Sequence, residues 1–412
     1  MTAVTTKARV ATAATVAVAV CTVLTATGSA AAQSAGGCAP LHVLGVQGTG
    51  QSSPAADPNT ETGVIGALIA PVLAAAPGAV DRTYIPYPAG FGGAVPGGGT
   101  APYAVSVTEA RQRLDTEIGR IAAACSDAMF AGVGYSQGAQ ALSWLAHDIG
   151  SGSGPVPADR IAGIALYAHP DRALGSPVFP GRPGQTTPDS APGTLGAAVE
   201  AVRLAPAAPK GGGIAGGATS YGALTGRVAD ICIEGDLACS APDHAALLSL
   251  GALIAAQADL RDPIAAVNSL GAVLSTALGQ AWTTVLLHDI HLADGTVTFR
   301  PEKTLAQRLI DSADPRQREP APADTAAANT RWGAVVATVA ANPVTTLPGL
   351  ATGLAAAWGQ LIADNAALLD PAVWIRYGDT VSRHTDYAVG GHLNSGIAWL
   401  TALAHDLQGS RP

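Results

Sequence analysis

Between residues 41 and 236, short apolar runs alternate with longer stretches whose apolar positions recur every three or four residues. The runs at 41–46, 82–87, 128–133, 161–167 and 228–233 read as five strands, and the intervening stretches read as helices. In 106–124, for example, Val107, Ala110, Leu114, Ile118 and Ile121 share one helical face. Strands alternating with helices predict an α/β fold, a central parallel five-stranded sheet flanked by helices on both faces. Beyond His244 the pattern changes to long Ala/Leu helices at 245–260, 263–287 and 326–341, interrupted by a charged, proline-bearing stretch at 311–324. A last apolar helix is expected at 395–407. The Gly/Pro/Ala-rich tract at 180–223, poor in periodicity, predicts a mobile surface loop.

The N-terminus adds a compartment. Residues 1–32 combine Lys7 and Arg9, an apolar stretch and the small run Ser29-Ala30-Ala31-Ala32, the pattern of a secretory signal peptide. Val20 stands before Cys21 where a lipid-anchoring signal wants a small residue, so release or loose wall association is expected. Removal of the leader takes away two cations and makes a chain of formal charge −8 still more acidic, a surface that does not attract nucleic acid. The later charge-free stretches are broken by glycine, asparagine and proline, so no membrane span is expected after processing. Cys38, Cys125, Cys232 and Cys239 remain, an even number in an oxidising compartment, which predicts two disulfides with the pairing left open. Their spacing does not suit zinc, and no metal is expected.

Against that background one motif carries chemistry. Gly134-Tyr135-Ser136-Gln137-Gly138 follows an apolar strand and opens a helix, the setting of a nucleophile elbow. A serine hydroxyl needs a histidine to take its proton and a carboxylate to orient that histidine. Asp236 follows the fifth strand inside Cys232-Ile-Glu-Gly-Asp236-Leu-Ala-Cys239 and is the expected carboxylate, with Glu234 as its competitor.

Three separated segments resemble the cutinase family of serine esterases. They are Val43-Leu-Gly-Val-Gln-Gly48-Thr49-Gly50-Gln51 with Cys38 ahead of it, Cys125 to Ala139 around Ser136, and Cys232-x-x-x-Asp236-x-x-Cys239. Tyr87-Pro88-Ala89 also fits. The resemblance implies the bridges Cys38 to Cys125 and Cys232 to Cys239, and an oxyanion hole from the main-chain N–H groups of Gln137 and Thr49. It also implies a base shortly after the acid loop, where this chain carries a long insertion. His244 and His384 compete for that role, and His384 is favoured because Arg383-His384-Thr385-Asp386-Tyr387 resembles the family's His-x-x-Tyr element and precedes the last helix. His288 and His291 are expected to share a helical face as a surface pair, His169 to line the rim of the cleft, and His42, His147, His392 and His405 to be structural.

The resulting expectation is a cutinase-like α/β-hydrolase. It has a signal peptide at 1–32, a core at 33–243, a helical insertion or lid at 244–374, and a core-completing segment at 375–412 that carries the base. The activity implied is that of a secreted, monomeric serine carboxylesterase acting on lipid-like esters or polyesters without a cofactor. Its alternatives are an envelope esterase or acyltransferase for mycolate-type lipids and a catalytically silent wall-associated binding protein.

Overall fold

The computed structural model describes residues 37–204, 209–217 and 220–410. The expected signal peptide lies outside the described residues. The chain forms β1 (Leu41–Val46), α1 (Gly63–Ala75), β2 (Val80–Tyr84), α2 (Tyr103–Ala124), β3 (Met129–Tyr135), α3 (Gln137–Ser151), β4 (Ile161–Tyr167) and β5 (Val228–Ile231). The five strands pair in parallel in the order β2-β1-β3-β4-β5. The predicted second strand lies slightly earlier than expected because Pro86 and Pro88, without N–H groups, cannot continue a ladder.

Successive strand residues point to opposite faces of the sheet and feed two apolar cores. Leu41, Val43, Val133 and Ala165 meet Ile65, Leu68, Trp399 and Leu403 on one face. Leu44, Val46, Ile164 and Leu166 meet Leu114, Leu142 and Leu145 on the other. Because β1 continues to β2 on one side while β3 lies on its other side, the strand order reverses there and opens a crevice beyond the carboxyl ends of β1 and β3.

The disulfides join Cys38 to Cys125 and Cys232 to Cys239. The tract at 180–223 is in part the exposed surface segment expected, with Leu195 fully exposed, but other parts of it are packed in. Ala191, Val199 and Leu204 are buried, Asp406 accepts the N–H groups of Ala198 and Val199, and Arg172 donates to the carbonyl of Gly211 at 2.7 Å. A glycine-rich segment here packs close to other backbone: a Cβ on Gly213 would lie 2.0 Å from the carbonyl of Pro170.

After β5 come α4 (Ala246–Ala256), α5 (Pro263–His288), β6 (Ile290–Ala293), β7 (Thr296–Phe299), α6 (Leu305–Ala313), α7 (Pro322–Ala341), α8 (Pro343–Ala363), α9 (Pro371–Arg376), α10 (Thr380–Thr385) and α11 (Asn394–Gly409). The β6-β7 hairpin was not anticipated, and it removes the helical face predicted for His288 and His291: His288 closes α5 and His291 belongs to β6. The turn is fixed by Asp289, fully buried, which accepts two hydrogen bonds from the Arg308 guanidinium. Among the described residues α5 is the one helix long and apolar enough to cross a bilayer. Here it is capped by the Asp262 carboxylate and packs against α6 and α7. Small apolar clusters hold these helices together, while Trp358 and Trp374 remain 63% and 55% exposed.

Candidate active site

The reversal from β3 to α3 is made by one residue, Ser136, at φ 53° and ψ −118°. A residue with a Cβ is strained in that region, and the surrounding structure must hold it there. The Ser136 N–H donates to the Tyr167 carbonyl at 2.8 Å, and its carbonyl accepts from the Gln140 N–H at 3.1 Å. The flanking glycines supply the room. A Cβ on Gly138 would lie 2.2 Å from the Val46 carbonyl oxygen, and one on Gly134 would lie 2.6 Å from Ala139 Cα.

His384, on α10, places Nε2 3.0 Å from Ser136 Oγ and Nδ1 2.9 and 3.1 Å from the two carboxylate oxygens of Asp236. A carboxylate at Nδ1 fixes the proton there and leaves Nε2 as the acceptor facing the serine. Asp236 is fully buried and also accepts from the Ala238 N–H at 3.0 Å and the Tyr387 hydroxyl at 2.9 Å. That hydroxyl in turn accepts from the Ile233 N–H at 3.0 Å. Burial and the neighbouring Asp236 charge hold the Tyr387 pKa well above the ordinary phenol value, so the group persists as a donor. The imidazole of His384 stacks on Tyr135 at 5.3 Å between ring centres, and the Tyr135 hydroxyl donates to the His384 carbonyl.

Gln137 is the first residue of α3, so its main-chain N–H has no carbonyl one turn earlier in the helix to bond. Its side chain is turned away and buried, donating to the Gly90 carbonyl at 3.1 Å and accepting from Ser106 at 3.1 Å. Thr49, in the turn after β1, lines the same pocket as Ser136 and His384. The turn is brought close by Gly48, where a Cβ would lie 3.3 Å from that of Ser136. Tyr87 steadies it from below by donating to the Gln47 carbonyl at 2.6 Å.

His244 stands elsewhere, its side chain 62% exposed and 3.5 Å from Asp243. Glu234 is likewise outward-facing, with its side chain 49% exposed. His169 does not line the cleft: it is fully buried with Nδ1 3.0 Å from Asp230, because the chain after β4 dives beneath the glycine-rich tract. His42 is buried against Thr83 at 2.9 Å, and His147 bonds the Ser220 carbonyl. Among the described residues no cluster of three acidic, cysteine or histidine side chains is arranged to hold a metal.

A cavity of about 690 Å³ opens beside Ser136, lined mainly by apolar side chains that include Phe91, Val107, Trp144 and Leu253. The site therefore brings together a serine hydroxyl, an imidazole hydrogen-bonded to it and to a carboxylate, the main-chain N–H that opens α3, and an apolar slot.

The cutinase family matches this chain over residues 37–248. A carboxylesterase Culp6 homolog of Corynebacterium glutamicum is 36% identical over 147 residues, 34% of this chain and 44% of that protein, so the match spans less than half of the relative. The catalytic core domain of acetyl xylan esterase from Trichoderma reesei is 28% identical, with a TM-score of 0.28 over 34% of this chain and 68% of its own. Lysin B from Mycobacteriophage D29 is 17% identical, with a TM-score of 0.33 over 72% of this chain and 91% of its own. With the family match extending over about half of its length, the chain belongs to the cutinase family.

Proposed function

We propose that the protein is a serine carboxylesterase working through an acyl-enzyme on Ser136, exported to an oxidising compartment where its two disulfides persist. The observation that carries the reading is the continuous hydrogen-bonded line from Ser136 Oγ through His384 to Asp236. Ser136 Oγ attacks the ester carbonyl carbon while His384 Nε2 accepts its proton, and Asp236 stabilises the imidazolium so formed. The carbonyl oxygen gains negative charge, which the N–H groups of Gln137 and Thr49 receive. The imidazolium then protonates the departing alkoxide, leaving the acyl group on Ser136. Water, deprotonated by the same imidazole, attacks that ester and releases the acid. The apolar slot favours a lipid-like acyl group.

The test is hydrolysis of p-nitrophenyl esters from acetate to palmitate. Ser136→Ala and His384→Ala are each expected to lower kcat by about a million-fold, and Asp236→Asn by about ten thousand-fold. Full activity in His384→Ala would exclude His384 as base. A wild type that neither turns over these esters nor reacts with a fluorophosphonate would exclude the esterase. A competing alcohol in the assay distinguishes hydrolysis from acyl transfer, a reading favoured by the helices that cover one side of the slot.

A further inference from the structure

The slot beside Ser136 is composite. One wall is the sheet domain, with Tyr103, Val107 and Trp144, and the opposite wall is the helical region, with Leu253 of α4 and Pro315 after α6. Two walls from segments so distant in sequence keep a fixed separation only if something ties them together.

The Leu260 N–H joins the end of the α4 segment to the Gly92 carbonyl at 2.8 Å, and Arg316 supplies the charged tie within the slot itself. Its guanidinium donates to Asp171 Oδ1 at 2.8 Å across the slot and to both carboxylate oxygens of its neighbour Asp314, at 2.8 and 2.9 Å. It also reaches the carbonyls of Ala215 and Gly216 at 3.2 and 3.4 Å. The Arg316 side chain is 32% exposed, whereas that of Asp171 is 3% exposed and has no other cation within ion-pairing distance among the described residues. The same Asp171 holds the sheet-side wall, accepting from Trp144 Nε1 at 2.8 Å and from Gln140 Nε2 at 2.9 Å, while Gln140 accepts from the Tyr103 hydroxyl at 2.7 Å. Both walls are thus keyed to one buried carboxylate, and a buried carboxylate deprived of its cation is costly enough to force rearrangement.

We propose that Arg316 is a specificity-determining positioning residue, a clasp that holds the Leu253–Pro315 wall against the sheet and thereby shapes an acyl slot for linear chains of medium length. The inference rests on Ser136 being the nucleophile. In wild type, kcat/KM should climb about fourfold per methylene from acetate to octanoate, as each added methylene is taken from water into the slot. In Arg316→Gln the climb should flatten to less than about twofold per methylene, with the loss on octanoate appearing in KM rather than kcat. Arg316→Lys keeps the charge but not the planar fork and should lie between the two.

An Arg316→Gln profile as steep as wild type, or an equal proportional loss on acetate and octanoate, overturns the clasp. Fluorophosphonate labelling and acetate turnover by wild type report separately on the nucleophile, so a failure there removes the esterase reading and a failure of slope alone removes only the clasp. If Arg316→Gln does not fold by circular dichroism, Arg316→Lys and Leu253→Trp decide the matter. Leu253→Trp fills the slot from the opposite wall and should reject octanoate relative to acetate, and an unaltered profile in both variants overturns the proposal.

Discussion

Tyr387 shows how much a single side chain settles at this site. Its hydroxyl receives the Ile233 N–H and passes a hydrogen bond to Asp236, connecting the end of β5 to the carboxylate that holds His384 Nδ1. Tyr387→Phe should lower kcat/KM about tenfold through loss of a hydrogen bond to a charged acceptor, and should destabilise the fold by about 1–3 kcal/mol because the Ile233 N–H is left unpaired. Paired ester kinetics and urea unfolding read the two effects, and a variant with wild-type turnover would show that His384 is oriented without it. At this scale Ser136, Asp236 and His384 were legible because each sits in a short motif with its own local grammar: glycines around a turn, cysteines around a loop, His-x-x-Tyr before a helix. Asp171 and Arg316 were not, since a pair separated by 145 residues leaves no periodic or spacing signal in one sequence. His169 was misplaced for a similar reason. Its burial depends on a tract whose glycines suggested freedom but whose close backbone packing needs them for space.

Among the elements, the two disulfides do different work. The bridge from Cys38 to Cys125 has a sequence separation of 87 and, on a loop-entropy argument, contributes roughly 4–5 kcal/mol, while that between Cys232 and Cys239, with a separation of 7, contributes roughly 2 kcal/mol. The smaller one frames Asp236. Replacing Cys232 and Cys239 by serine should therefore lower turnover more than stability, and replacing Cys38 and Cys125 the reverse, as measured by ester hydrolysis beside guanidinium unfolding. Equal effects of the two pairs on both quantities would contradict this division. Strands were legible in the sequence because a buried parallel strand is a compact apolar run, and β4 fell where expected. The hairpin β6-β7 escaped notice, its four-residue strands being too short for alternation to stand out.

For the molecule as a whole, the sheet and its order define where chemistry can occur, while the helical region after β5 decides what that chemistry meets. One slot wall and His384 depend on segments beyond Asp236: α4, the chain after α6, and α10. Composition announced a helical region but not its disposition, because helices apolar on several faces can pack in many ways until long-range pairs such as Arg308 with Asp289 select one.

The distance between Asp236 and His384 along the chain has a consequence of its own. His384 lies 148 residues beyond Asp236, and both disulfides are closed by Cys239, so among the described residues only the main chain joins His384 covalently to Ser136 and Asp236. Gln317, Arg318 and Glu319 are exposed between α6 and α7. A single cleavage after Arg318 would yield one fragment with Ser136 and Asp236 and another with His384, held together by the burial of Trp399 and Leu403 of α11 in the sheet core. Such a nicked protein should keep its activity under native conditions and lose it on separation in denaturant. Activity should return only when the two fragments are remixed, which would make this a natural two-part reporter whose signal is ester cleavage.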